Sequence, residues 1–337
     1  MVADELLAQI AAHAGRAVEF AEPPALLGGG FFTANYRFSL KDAPAGLRGP
    51  LVLRLFPTHA PDELGAWEAA VQRFAHAHGV SAPAVVLRDA DTTIEGRQWF
   101  VMELLPGAPA MGGITTRELL RGVRWMYRSM PQQTADVHLA LHRLDPTSLV
   151  DEFGPVATID RWWSAMRRPL PGGVAHPLEP GIDWLEHNVP EPRAPLVLCH
   201  GDSWGGNLLV DGSGVTGVID WTVATVAEPA LEVGFLTAAM SLAPLPLSRT
   251  LLRAAQSFSR RLGRKYRAAY EQGSNVDLTA VPYYEALRCL LELGGVVRYR
   301  TTIARDEAYD GPRPTWDAIA DQMVAFFEQR TGVQLSL

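Results

Sequence analysis

Cysteine is nearly missing from this chain: of 337 residues only Cys199 and Cys289 carry a thiol. A disulfide framework is therefore not the organising device, and a reducing compartment is expected. Cys199 reads as a small apolar residue ending the strand Leu196-Val197-Leu198. Long apolar runs are missing as well. No segment approaches the roughly eighteen uninterrupted apolar residues of a membrane-spanning helix. Met1 to Phe20 carries Asp4, Glu5, His13, Arg16 and Glu19 among its apolar positions and so lacks the core of a signal peptide. The expected location is the cytoplasm, with no membrane partner. Lysine and arginine form no cluster and the net charge is −7, which argues against nucleic acid and requires any phosphate site to be built locally. There is no internal repeat and no low-complexity tract, and nothing in the sequence sets an oligomeric state.

What is present suits a soluble α+β protein with a large core. Met1 to Phe20 has helical spacing, which Pro23-Pro24 breaks. Strands are predicted over Phe32 to Leu40, Leu51 to Phe56, Ala84 to Asp89 and Gln98 to Leu104, with a helix from Pro61 to about His78. After Pro106-Gly107 long helical segments take over: Thr116 to Met130, Gln132 to Leu144, Ser248 to Tyr270, Pro282 to Ala304 and Trp316 to Gln329. A strand-rich lobe, 1–106, followed by a helical lobe, 107–337, is the expected organisation. Between Pro169 and Pro195 a Pro- and Gly-rich loop with one short helix is expected.

The most informative stretch is His200-Gly201-Asp202-Ser203-Trp204-Gly205-Gly206-Asn207, followed by Ile219-Asp220-Trp221. Leu208 to Val210 and Val215 to Ile219 read as two strands around the turn Asp211-Gly212-Ser213-Gly214. With Val210 opposite Val215, Asn207 falls opposite Val218, near Asp220 at the open end of the hairpin. Strands lie about 4.8 Å apart, so an Asn oxygen and an Asp carboxylate there could share one small cation. Such oxygen donors suit magnesium. Asp202 heads the same loop and can face whatever the metal holds.

This arrangement resembles the catalytic core of the aminoglycoside phosphotransferase family, within the protein-kinase-like superfamily. The resemblance implies a bilobal fold with a small β-rich N-lobe and a larger helical C-lobe. It makes Asp202 the catalytic base, and Asn207 and Asp220 the magnesium ligands. Gly28-Gly29-Gly30, ahead of Asn35 and the first long strand, resembles the family's glycine-bearing hairpin loop, where backbone amides can approach phosphate oxygens. Glu103 and Leu105, in the run Gln98 to Gly107, stand where the family reads adenine through backbone groups. His200 is expected to brace the catalytic loop, and His142 to pack by hydrogen bonding.

Arg54 sits inside the apolar strand Leu51-Val52-Leu53-Arg54-Leu55-Phe56 and needs a partner or a solvated side. On the helix from Pro61, Leu64, Trp67, Val71, Phe74 and Ala75 share one face, and Glu68 falls within it. Glu68 is the expected partner of Arg54, with Glu63 at the stripe's edge as the alternative. The pair looks like the strand cation and helix Glu that orient nucleotide phosphates in kinase-like enzymes. Two departures stand out. Arg54 replaces the commoner Lys, and Glu228 and Glu232 replace two aspartates, as structural anchors.

The expectation is a kinase that moves the γ-phosphoryl group of ATP or GTP, with magnesium, to the hydroxyl of a small molecule. The acceptor is a metabolite or, alternatively, an aminoglycoside or macrolide antibiotic. Glu285, Glu292, Asp306, Glu307 and Asp310 read as solvated helix faces with Arg288, Arg298, Arg300 and Arg305 interleaved. A rival of another class is a regulatory pseudokinase that binds nucleotide without transfer. The competent residues at Asp202, Asn207 and Asp220 count against it.

Overall fold

The computed structural model describes residues 2–28, 33–110, 124–211, 214–243, 249–305, 307 and 314–337. The chain forms two compact units, Met1–Gly112 with Gly205–Thr222, and Gly113–Trp204 with Val223–Leu337. This division is not linear. The sequence reading put everything after 106 in one lobe, yet the hairpin 205–222 belongs with the first unit. The cause is strand pairing: Leu208–Val210 runs antiparallel to Ala108–Pro109, and the N–H of Ala110 donates to the carbonyl of Leu208 at 2.8 Å.

In the first unit, helix α1 (Val2–Ala14) precedes a five-stranded antiparallel sheet. Its strands are β1 (Glu19–Leu26), β2 (Ala34–Lys41), β3 (Leu51–Leu55), β4 (Val85–Leu87) and β5 (Trp99–Glu103), in the order β1-β2-β3-β5-β4. Helix α2 (Leu64–Ala77) connects β3 to β4. Strand β1 was not expected, because Pro23-Pro24 read only as a helix breaker. It survives because it is an edge strand, and the register against β2 shifts between Glu22 and Ala25, where the two prolines need no ladder bond.

Central β3 is buried along its whole length, and its alternation gives each face a core. Leu51, Leu53 and Leu55 pack with Leu6 and Ile10 of α1. Val52 and Phe56 pack with Ala69 of α2 and Phe100 of β5. Arg54 shares the parity of Val52 and Phe56, so it is turned toward α2.

The second unit is helical. Its long helices are α3 (Met130–Leu141), α4 (Pro229–Leu242), α5 (Arg249–Gly273), α6 (Val281–Ala304) and α7 (Ala320–Thr331). Of the helix expected over 116–130, residues 116–123 lie outside the described residues, and 124–128 are helical. The loop expected between 169 and 195 carries the short helix Glu179–His187. Helix α4, absent from the sequence reading, is apolar all round and buried on nearly every side, as a central helix must be. It packs against α5 and α6. No described helix is long and apolar enough to cross a membrane.

Candidate active site

In the first unit, parity places Arg54 over α2, and the ion pair expected there is present. Arg54 Nε lies 2.8 Å from Glu68 Oε1, with both side chains buried. Glu63, the alternative, is exposed. The guanidinium also reaches the other way. Its Nη2 lies 2.6 Å from Asp220 Oδ1 and donates to Thr222 Oγ1 at 2.7 Å, while Nη1 donates to Asn35 Oδ1 at 3.3 Å. The Thr222 hydroxyl in turn stands 3.0 Å from Glu68 Oε2 and 2.7 Å from Asp220 Oδ1. Burial opposes the Arg54 charge, but Glu68 and then Asp220 override it and raise the pKa above the ordinary arginine value. Burial pushes Glu68 up to about 7 against the pull of Arg54.

The hairpin differs from its expected register by one residue. Val210 does face Val215, but Leu209 faces Gly217 and Leu208 faces Val218. Thr216 is the extra residue of a β-bulge, its hydroxyl donating to the carbonyl of Pro106 at 2.7 Å. Asn207 therefore stands opposite Ile219, not Val218, and its carbonyl accepts the Ile219 N–H at 2.9 Å. That is one residue closer to Asp220 than anticipated. Asp220 adopts a left-handed backbone, φ 64°, a conformation that aspartate tolerates better than most residues. Its side chain is 37% exposed, so solvent reaches the carboxylate whose Oδ1 meets Arg54. Asn207 and Asp220 offer hard oxygen donors, one neutral and one charged, which fit magnesium.

Gly28 is an exposed turn residue ahead of β2 with open space around it; Gly29 and Gly30 lie outside the described residues. Glu103 ends β5 with its N–H committed to the carbonyl of Ala84 at 2.9 Å, so an adenine contact from this residue falls to its carbonyl. Leu105 is half-buried, and its side chain closes over Gly217 of the hairpin.

In the second unit, Val197–Cys199 pairs antiparallel with Thr225–Ala227 and delivers the chain to His200. The loop that follows is anchored from below by Glu232 of α4. The N–H groups of His200 and Gly201 both donate to its carboxylate, the latter at 3.0 Å, and Ser203 Oγ stands 3.4 Å from it. Glu232 thus takes the anchoring role expected at a position where the family has aspartate. Burial alone would raise its pKa, but His138, then His142 and His200, hold it well below the usual carboxylate range. Glu228 is buried and accepts the Arg193 N–H at 3.4 Å. Gly201 has φ 75°, and a Cβ there would meet the carbonyl oxygen of Val223 at 3.1 Å, so the loop requires glycine.

His200 braces the loop as expected, its Nδ1 accepting the N–H of Asp202 at 3.2 Å. His142 Nδ1 lies 2.8 Å from the Tyr270 hydroxyl. The sequence reading missed His138, which is fully buried between the Tyr266 hydroxyl, 2.7 Å away, and Ser203 Oγ, 2.5 Å away. It also misread Arg288 and Glu285 as members of a solvated face. Both are buried: Glu285 pairs with Arg330, and Arg288 Nη2 lies 2.9 Å from Asp202 Oδ1. The signal that could have found Arg288 is its setting, since Leu287, Cys289, Leu290 and Leu293 make this part of α6 apolar all round.

A profile of the phosphotransferase enzyme family matches residues 25–281. An aminoglycoside 3′-phosphotransferase of Streptomyces fradiae is 30% identical over 158 residues, 43% of this chain and 53% of that protein. Acyl-CoA dehydrogenase family member 10 of Mus musculus is 27% identical over 169 residues, 47% of this chain and 15% of that protein. The chain thus matches about half of the first relative's length and a small part of the second's. Among solved structures, the macrolide 2′-phosphotransferase MphH of Brachybacterium faecium superposes with a TM-score of 0.52 at 19% identity, over 98% of this chain and 96% of that one. A thermostable mutant of aminoglycoside phosphotransferase APH(4)-Ia, in a ternary complex with ADP and hygromycin B, gives 0.57 at 14% identity, over 98% and 100%. These likenesses establish the bilobal kinase-like fold.

Proposed function

The chain belongs to the phosphotransferase enzyme family, and from that premise we propose that it is a small-molecule kinase. It transfers the γ-phosphoryl group of ATP, or GTP, to a substrate hydroxyl. The observation that carries this reading is the cluster in which Arg54 joins Glu68 of α2 to Asp220 of the hairpin, with Asn207 one ladder position away. A buried cation between two carboxylates has no structural economy of its own. It is the arrangement needed to meet nucleotide phosphates and a metal.

Arg54, oriented by Glu68, Thr222 and Asn35, holds phosphate oxygens with a planar fork. Gly28, ahead of β2, brings its backbone amide to the same phosphates, and Glu103 and Leu105 meet adenine through their backbone. Asn207 and Asp220 would hold magnesium, which would supply positive charge to compensate the phosphates. Asp202 aligns the acceptor hydroxyl and accepts its proton as the acceptor oxygen bonds to the γ-phosphorus and the bond to the leaving nucleoside diphosphate breaks. Catalysis of this kind is mostly positioning and charge compensation. ATP occurs with streptomycin in a complex of a structurally similar phosphotransferase, which supports ATP as donor. The two cysteines are free and suit a reducing compartment, which supports the cytoplasm as the proposed location.

The acceptor in this proposal is a metabolite rather than an aminoglycoside or macrolide antibiotic. Glu285, Glu292 and Glu307, which could have gripped amines, are each paired with an arginine: Arg330, Arg288 and Arg305. The Streptomyces relative keeps the antibiotic alternative in the test. The experiment is magnesium-dependent ADP and GDP release across polyamino sugars, macrolides, neutral sugars and hydroxycarboxylates. Stimulation by one class identifies the acceptor. Magnesium-dependent nucleotide binding with no release in any class would instead establish the pseudokinase.

A further inference from the structure

Arg288 is the one buried arginine described in the second unit that touches the reacting loop. Its Nη2 lies 2.9 Å from Asp202 Oδ1 and 2.7 Å from Glu292 Oε1, and Nη1 donates to the carbonyl of Gly201 at 3.3 Å. The guanidinium also lies over the ring of Phe235 at 5.5 Å, and Phe235 stacks on Trp162 at 5.3 Å. An aromatic face, a carbonyl and two carboxylates leave this planar group little freedom. The loop is therefore held from both sides. Glu232 takes the amides of His200 and Gly201, and Arg288 takes the Gly201 carbonyl together with the Asp202 carboxylate.

We propose that Arg288 is a positioning residue for the transfer, fixing the Asp202 carboxylate relative to its own backbone so that it meets the acceptor hydroxyl in one orientation. The proposal rests on the kinase reading above. Two chemical consequences follow from the geometry. The Arg288 cation 2.9 Å from Asp202 compensates the charge of its carboxylate. When Asp202 takes the acceptor's proton, Arg288 keeps Glu292 as its counterion, and no buried charge is stranded during turnover. Among the described contacts of this loop, His200 Nδ1 accepts the Asp202 N–H, and Glu232 takes the neighbouring Gly201 amide.

The test uses the full chain carrying Arg288→Met or Arg288→Lys, with magnesium-ATP and the acceptor that stimulates the wild type most. ADP release to water serves if none does. Arg288→Met is expected to lower kcat by roughly 10- to 100-fold, the scale of a misplaced catalytic group, with the KM for ATP little changed. The acidic limb of its kcat profile should move to higher pH. Arg288→Lys should recover part of both effects. A kcat within about twofold of wild type with an unmoved limb would overturn the proposal, since each 1.4 kcal/mol is tenfold in rate. If Arg288→Met does not fold, the limb of Arg288→Lys decides in the same way. Wild-type protein that turns over no nucleotide under any condition would instead overturn the kinase reading, and this inference with it.

Discussion

Arg54 and Asp220, 166 residues apart in the chain, meet at 2.6 Å, and the same guanidinium meets Glu68 at 2.8 Å. Because Glu68 is fully buried, Arg54→Ala would leave its carboxylate without a cation in the core. We expect that variant to lose about 3–5 kcal/mol of stability, together with nucleotide affinity. Arg54→Ala combined with Glu68→Gln should cost less than the two single effects added, in a double-mutant cycle on denaturant unfolding. Arg54→Lys should fold and stay active with altered nucleotide affinity, since Lys reaches a phosphate only as a point charge. Strict additivity in the cycle would show that the two residues do not act as a pair.

Asp220→Asn should impair magnesium-dependent nucleotide binding more than Asn207→Ala, because it removes a full charge beside the cation. It also removes one of the two carboxylates that compensate Arg54. Calorimetric titration of nucleotide with and without magnesium reads this directly. Binding that ignores both magnesium and Asp220 would rule out the hairpin as the metal site.

Asp202→Ala should fold and bind nucleotide while losing transfer by about two to four orders of magnitude, the range for a lost general base. Single-turnover assays at saturating nucleotide separate this from weakened binding. Near-normal turnover would exclude Asp202 from the mechanism.

His138 carries an acid-sensitive part of the stability. Burial pushes its pKa from 6.5 down to about 4, with Glu232 opposing and His142 and His200 reinforcing the shift. Between those values the unfolded chain binds more protons than the native state, so stability rises with pH across that window and is lost as pH falls through it. Glu232, held low, acts in the same direction below the ordinary carboxylate range. Glu68, raised to about 7, acts in the opposite one. The comparison that isolates His138 is urea unfolding of wild type and His138→Gln from pH 4 to 8. The variant should show a shallower decline toward acid, and parallel curves would contradict the assignment.

Glu232→Ala should cost about 3 kcal/mol or more, since the two buried backbone amides of His200 and Gly201 lose their acceptor. Amide exchange of His200 and Gly201 should accelerate more than that of the Val197–Cys199 strand. Equal protection in both places would mean that the loop is anchored elsewhere.

Much of this was legible because charge inside an apolar pattern is costly. Arg54 in an apolar strand and Glu68 on an apolar helix stripe predict one another from the sequence alone. The hairpin of Asn207 and Asp220 was legible from turn chemistry, but its register was not, since no residue type marks Thr216 as a bulge. Strand β1 was hidden by Pro23 and Pro24, whose tolerance depends on being at an edge. Arg288 was misread because the i, i+4 spacing it shares with Glu292 is also that of exposed pairs, and only the apolar sequence around it hints at burial. His138 was missed because its partners, Tyr266 and Ser203, are distant in the chain.

The chain enters the first compact unit twice, as 1–112 and again as 205–222. Gene dissection must respect that path. A fragment ending at 112 would display Ala108–Pro109 as an unpaired edge and would keep Arg54 with Glu68 but without Asp220 or Thr222. Joining 112 to 205 through a short flexible linker would restore the missing strand and both side chains in a single polypeptide. The first compact unit is thus a spliced sequence, and a search for its independent ancestors or fragments should look for an interrupted pattern.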